Sequence, residues 1–219
     1  MIGPVPTPVK TSPWCKSLFL KSPAQLILAS TSGYRRALLG RVCASFQCIA
    51  PGIDETPQAG ESAITLVARL SLAKARAVAS QHHEAWVIGS DQAAVLLDPF
   101  QQQRILGKPG TRARCVEQLT ACSGKTVTYL TGVAVVRGAD DDAFEFVDAT
   151  RVTFRTLDES TIERYVARES PLDCAGGFKS EGLGISLCAS IDSDDPSALI
   201  GLPLIRLCEL LRHVGFDIP

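Results

Sequence analysis

The chain has 219 residues, 46% hydrophobic and 21% charged, with a formal net charge of −1. That balance fits a globular protein of one large domain or two small ones, and it gives no general electrostatic attraction to nucleic acid or to an anionic membrane. No apolar run reaches about 18 residues, so no membrane span is expected.

Residues 1–23 read as an extension. Pro4, Pro6, Pro8, Pro13 and Pro23 break any periodicity, and no apolar run follows a basic start, so the stretch is expected to be disordered and not a signal peptide. The first carboxylate in the chain is Asp54, which leaves the segment before it locally positive. The folded domain is expected over 24–219.

Leu26 to Ala29 reads as a short buried strand. Ser30, Thr31 and Ser32 follow, then a helical pattern closed by Gly40, with Ser32 as its N-cap. A strand running into a helix N-terminus presents backbone N–H groups at the positive end of the helix dipole. Arg35 and Arg36 in the first turn add two guanidinium groups, so the unit is either an anion site or an ordinary strand–helix pair with a solvated arginine pair. Ser45 to Ile49 reads as a second strand. The loop from Pro51 to Pro57 carries Asp54 and Glu55, which form either a solvated turn or a metal or base site.

Glu61 to Gln81 is the clearest helix. Ala63, Leu66, Val67, Leu70, Ala73 and Ala77 make one face, with Lys74 at its edge as a snorkelling lysine or something more. Ala85 to Leu96 reads as a buried strand with a polar interruption at Gly89-Ser90-Asp91-Gln92. Asp91 is placed there at the carboxyl end of a strand, where ligands bind in open α/β sheets, as a catalytic or metal-binding acid or as an acceptor for loop amides. Gly107-Lys108-Pro109-Gly110 follows a short strand and holds one lysine in a defined place.

Thr111 to Ala121 reads as a helix, and Val127–Arg137 with Phe144–Arg155 as a long hairpin around an aspartate-rich turn. Asp158 to Arg168 is an amphipathic helix. Cys174 to Ile185 holds four glycines around Lys179-Ser180-Glu181, a spacing that is neither a Walker loop nor a dinucleotide fingerprint. A buried Glu181 there could accept from the N1–H and exocyclic amine of a guanine, or the loop could be a plain turn with an exposed acid. Pro203 is placed at the first position of a last helix that Gly215 stops. The eight cysteines show no CxxC pair and no zinc spacing, and read as reduced, buried thiols of a cytoplasmic protein.

Six motifs in order, Ala-Ser-Thr-Ser-x-x-Arg-Arg (29–36), Asp-Glu-Thr-Pro (54–57), Lys74, Gly-Ser-Asp-Gln (89–92), Gly-Lys-Pro (107–109) and Phe-Lys-Ser-Glu-Gly-Leu-Gly-Ile (178–185), resemble the Maf-type nucleotide pyrophosphatases. The resemblance runs from about Gln25 to Gly215. It implies an elongated α/β fold with a mixed sheet and flanking helices, two lobes around a nucleotide-binding cleft, similar to the ITPases. It implies hydrolysis of a nucleoside triphosphate to the monophosphate and pyrophosphate with a divalent cation, Mg²⁺ or Mn²⁺. By family motif Asp91 activates water, Ser30, Ser32 and Arg35 hold phosphate oxygens, and Glu55, Lys74 and Lys108 complete the charged site. Lys74 and Lys108 are assigned to the phosphates. The hard oxygens of Glu55 and Asp91 suit the metal.

Gln92 and Glu181, where the dTTP- and UTP-directed branch commonly carries Thr and Gln, resemble the branch that acts on 7-methyl-GTP. Tyr34 stands where that branch commonly has Trp, and keeps an aromatic face for a cationic base. Gly33 stands where proline is usual and loosens the loop. The alternatives are a sister enzyme for dTTP, UTP or another modified nucleotide, and a nucleotide-binding regulator of cell division. The expected partner is a small nucleotide, with no nucleic-acid polymer and no membrane, and a homodimer is left open.

Overall fold

In this computed structural model, the residues described are 25–97, 100, 102–138 and 142–219. The expected extension at 1–23 and the middle of the aspartate-rich turn lie outside them. In chain order the elements are β1 (Leu26–Leu28), α1 (Gly33–Leu39), β2 (Gln47–Cys48), α2 (Ala63–Ala79), β3 (Trp86–Leu97), β4 (Gln103–Leu106), α3 (Arg112–Cys122), β5 (Thr126–Arg137), β6 (Asp142–Phe154), α4 (Glu159–Glu169), β7 (Cys188–Asp192) and α5 (Leu204–His213).

The seven strands form one mixed sheet in the order β2-β1-β3-β5-β6-β7, with β4 also on β3. β1 runs parallel to β2 and β3, and the remaining pairings are antiparallel. β5 covers one edge of β3 from Trp86 to Leu96. The other edge is shared. β1 pairs with Trp86 to Ile88, and β4 pairs with Ala94 to Leu97. Residues 89–93 between them have no strand partner on that side. β1 ends at Leu28 opposite Ile88, and β4 ends at Leu106 opposite Ala94, so both strands stop with their carboxyl ends at the gap. The Ser-Thr-Ser turn therefore enters the gap from one side and the Gly-Lys-Pro turn from the other.

Side chains of a strand alternate between faces, and β3 packs helices on both faces of the sheet. Val87, Ala93 and Val95 pack with α2. On the other face Trp86 and Ile88 pack with α1 and α5, whereas Ala94 and Leu96 pack with α3 and α4. The two clusters on that face meet at Ser90 and Gln92, the polar positions between them.

The structure differs from the sequence reading at several points. Asp91 is not at a strand end, because β3 runs unbroken through it and pairs it with Gly132. β7 has no sequence signal, since it is an exposed edge strand without alternation. Pro203 is the N-cap of α5 and not its first helical residue. The strand predicted at 45–49 shrinks to two exposed residues. Of the seven described cysteines all are unpaired, but only Cys43, Cys115 and Cys122 are buried, and Cys48 is exposed.

Candidate active site

A cleft of about 550 Å³ lies at the gap in the sheet. That volume is in the range of small-ligand pockets. Its wall includes Ser30, Ser32, Tyr34, Arg35, Glu55, Lys74, Asp91, Gln92, Lys108 and Glu181, the residues that the resemblance assigns to the site, whereas Arg36, Asp54 and Lys179 lie outside it.

The centre is an ion triad. Lys74 Nζ lies 2.7 Å from Asp91 Oδ1 and 3.0 Å from Glu55 Oε1. Lys74 is buried, not snorkelling: 5% of the residue is exposed. Its position depends on two glycines. A Cβ on Gly89 would lie 2.1 Å from the Ser71 carbonyl oxygen, and one on Gly132 would lie 2.4 Å from that of Val67. Bare backbone on β3 and β5 lets α2 come this close, and Lys74 on α2 then reaches Asp91 across the contact.

The β1–α1 turn is internally bonded. The Ser32 N–H donates to Ser30 Oγ at 3.1 Å, and Ser32 Oγ accepts the Arg35 N–H at 3.4 Å. Ser32 is thus the expected N-cap. Arg35 Nε donates to the Gly201 carbonyl at 3.0 Å. Burial lowers the Arg35 pKa, while the charges of Asp91 and Glu55 hold it up. Arg36 departs from the expected arginine pair. It is exposed and lines a separate hollow with Ala37 and Cys43, so one guanidinium faces the cleft.

Gly33 is the first residue of α1, and a Cβ there meets nothing within 4 Å. Proline suits this helical position, and Ser32 before it has the extended backbone (φ −68°, ψ 119°) that proline demands. Gly33→Pro is expected to stabilise the protein by about 0.4–1 kcal/mol through a less flexible unfolded chain. Thermal unfolding tests this, and a lower midpoint would mean that the Gly33 N–H is needed.

Gln92 sits on the face of β3 opposite Asp91. Its amide nitrogen donates to Thr131 Oγ1 and to the carbonyls of Ala198 and Leu199, at 3.0–3.1 Å. The two carbonyls can only accept, which fixes the orientation of the amide. Ser90 Oγ donates to Gly201 O at 3.0 Å. Gln92, Ser90 and Arg35 therefore all hold the segment 198–201, which closes one wall of the cleft. No sequence pattern announces this segment, because it is a short non-periodic turn whose contacts are to backbone oxygens. Asp195, 3% exposed, anchors it by accepting from Ser197 and from the Ile205 N–H.

Tyr34 and Glu181 both line the cleft. Burial, with Cys174 beside it, raises the Tyr34 phenol to about 12. Of the two alternatives for Glu181 the structure has the exposed acid, which nevertheless lines the cleft at its rim.

The Maf-like protein family model matches residues 25–214. The chain belongs to this family. A relative from Alkalilimnicola ehrlichii named 7-methyl-GTP pyrophosphatase is 54% identical over 193 residues, 88% of this chain and 94% of its own. Proteins of the same name from Pseudomonas aeruginosa and from a Polaromonas species are 51% identical over 194 residues and 52% identical over 192. They cover 89% and 87% of this chain and 98% and 84% of their own.

A divalent cation fits the donor set of this Maf-like chain. Glu55 Oε1 and Asp91 Oδ1, from a loop and a strand, converge on Lys74 Nζ, so a cation would take the other oxygens of these carboxylates. Mg²⁺ is commonly bound by one or two carboxylates together with substrate phosphates and water. Among the described residues no group of three or more His, Cys, Asp or Glu is placed to hold a metal, so such an ion would draw its other ligands from phosphate and water. No helix among them is long and apolar enough to cross a membrane.

Proposed function

We propose that the protein is a nucleoside triphosphate pyrophosphatase that converts 7-methyl-GTP and water to 7-methyl-GMP and pyrophosphate. We take residues 24–219 as one catalytic unit working in the cytoplasm on a free nucleotide. The observation that carries the reading is the convergence of cations, carboxylates and an aromatic ring on one cleft, with relatives of about half identity bearing that name.

In this reading Asp91 accepts a proton from water as its oxygen bonds to the α-phosphorus. The bond from that phosphorus to the bridging oxygen breaks, and pyrophosphate leaves with the electron pair. Negative charge grows on the phosphoryl oxygens during this step. Lys74, Lys108 and Arg35, with the hydroxyls of Ser30 and Ser32, lie where they can compensate it. Bound Mg²⁺ or Mn²⁺, held by Glu55 and Asp91, would supply Lewis-acid charge compensation. The base lies toward Tyr34 and Glu181. N7-methylation makes the purine cationic, so stacking on Tyr34 gains roughly 0.5–2 kcal/mol. Gln92 contributes by holding the 198–201 wall.

Pyrophosphate release from 7-methyl-GTP, GTP, UTP, CTP and dTTP with Mg²⁺ or Mn²⁺ tests this. Preference for 7-methyl-GTP is expected. Preference for a pyrimidine would keep the reaction and discard the base assignment, and tight binding without release would make the protein a nucleotide-binding regulator. Glu181→Gln is expected to lower the 7-methyl-GTP to UTP ratio of kcat/KM by about tenfold, the loss of one charge-assisted contact. An unchanged ratio would remove Glu181 from base reading.

A further inference from the structure

Glu169 does not line the cleft, yet it ties down the loop that carries Glu181. It is the last residue of α4, and its side chain is only 11% exposed. Oε1 accepts from Lys179 Nζ at 2.8 Å and Oε2 from the Leu183 N–H at 2.6 Å. One turn earlier on α4, Tyr165 OH accepts the Lys179 N–H at 3.0 Å. The loop also closes on itself, with the N–H groups of Gly182 and Gly184 donating to Lys179 O. Gly182 packs against the carboxylate so closely that a Cβ would lie 2.4 Å from Oε2.

Lys179, held this way, stands over the Tyr34 ring with Nζ 5.6 Å from its centroid. A cation beside the ring proposed to receive a cationic base is at first sight a contradiction. Glu169 resolves it, because its carboxylate neutralises the ammonium at contact distance.

We propose that Glu169 and Lys179 are a positioning pair that sets base selectivity, with Glu169 cancelling a charge that would otherwise repel a 7-methylated purine on Tyr34. The proposal rests on the 7-methyl-GTP reading above. A base stacked on the ring comes within roughly 10 Å of the ammonium, about one Debye length at 0.1 M salt, so the repulsion would be felt. It acts on a charged base and hardly on a neutral one. A structural role alone, fixing the loop, would affect both alike.

The test is kcat/KM for 7-methyl-GTP against GTP in the wild type, Glu169→Gln, Lys179→Met and the double variant. A glutamine still offers an oxygen to Leu183 or Lys179, so the loop keeps a tether. In Glu169→Gln the ratio is expected to fall about tenfold, mainly through KM, and in the double variant to return to within about threefold of the wild type. Lys179→Met alone is expected to raise the ratio, and it tests the charge argument even if Glu169→Gln does not fold. A wild type without preference for 7-methyl-GTP would overturn the parent reading. A wild type with that preference, beside variants that lose both substrates equally, would overturn this proposal only.

Discussion

Asp91→Asn is expected to lower turnover by about 10³-fold, as general-base contributions run to about 10²–10⁴-fold. Nucleotide binding is expected to persist, because the cations of the cleft remain. The carboxylate is positioned for this role by its surroundings. It is 8% exposed, lies in the unpaired segment of the β3 edge and holds Lys74 Nζ at 2.7 Å. Asparagine matches its shape but cannot take up a proton. Removing one partner of an enclosed ion pair costs about 3–5 kcal/mol when the other is left stranded. Here Lys74 keeps Glu55 at 3.0 Å, and that side chain is 55% exposed, so the loss of stability should be smaller. Single-turnover assays with a thermal unfolding control separate the two effects. A folded Asp91→Asn protein within tenfold of wild-type turnover would mean that another group takes the proton.

The components of the site were readable from the sequence, whereas the way they meet was not. Ser32 as N-cap follows from residue type next to a helical period, and the structure has that bond. The two flanking turns stand out because an apolar run stops at Ser30 and again at Gly107. What joins them is the sharing of one edge of β3 by β1 and β4, and strand pairing leaves no mark in local pattern. For the same reason Asp91 looks like a strand end in the sequence. A polar step in a long strand looks like a terminus unless the partner strand is known, and here β5 pairs straight across it.

The hidden contributors share a feature. Gln92 is visible as a motif residue, but its acceptors are backbone carbonyls more than 100 positions away, at Ala198 and Leu199. Arg35 likewise spends Nε on Gly201 O. Carbonyl oxygens carry no residue identity, so no sequence pattern announces them. Lys74 is a different case. At the edge of an apolar helix face it reads as a snorkelling side chain, and only the closeness of α2 to the sheet converts it into a buried ion-pair partner.

That closeness sets up the second large effect. Gly89→Ala is expected to lower stability by about 1–3 kcal/mol, the usual cost of overpacking. A Cβ at this position would lie 2.1 Å from Ser71 O, 2.7 Å from Ala75 N and 3.0 Å from Ala75 Cβ. Two of these are backbone atoms of α2, so no rotamer change relieves them, and the helix must move off the strand. Lys74, within the same two turns, moves with it. A displacement of about 1 Å at a reacting group costs on the order of 100-fold in rate, and a loss of that size in kcat is expected. The cause can be checked with a double variant. If Gly89→Ala acts by parting Lys74 from Asp91, adding it to Asp91→Asn should cost little further turnover, because the contact it disturbs is already lost. Additive losses would instead show that the helix shift damages the cleft elsewhere, and a single variant with wild-type kcat and midpoint would show that α2 can yield without disturbing the triad.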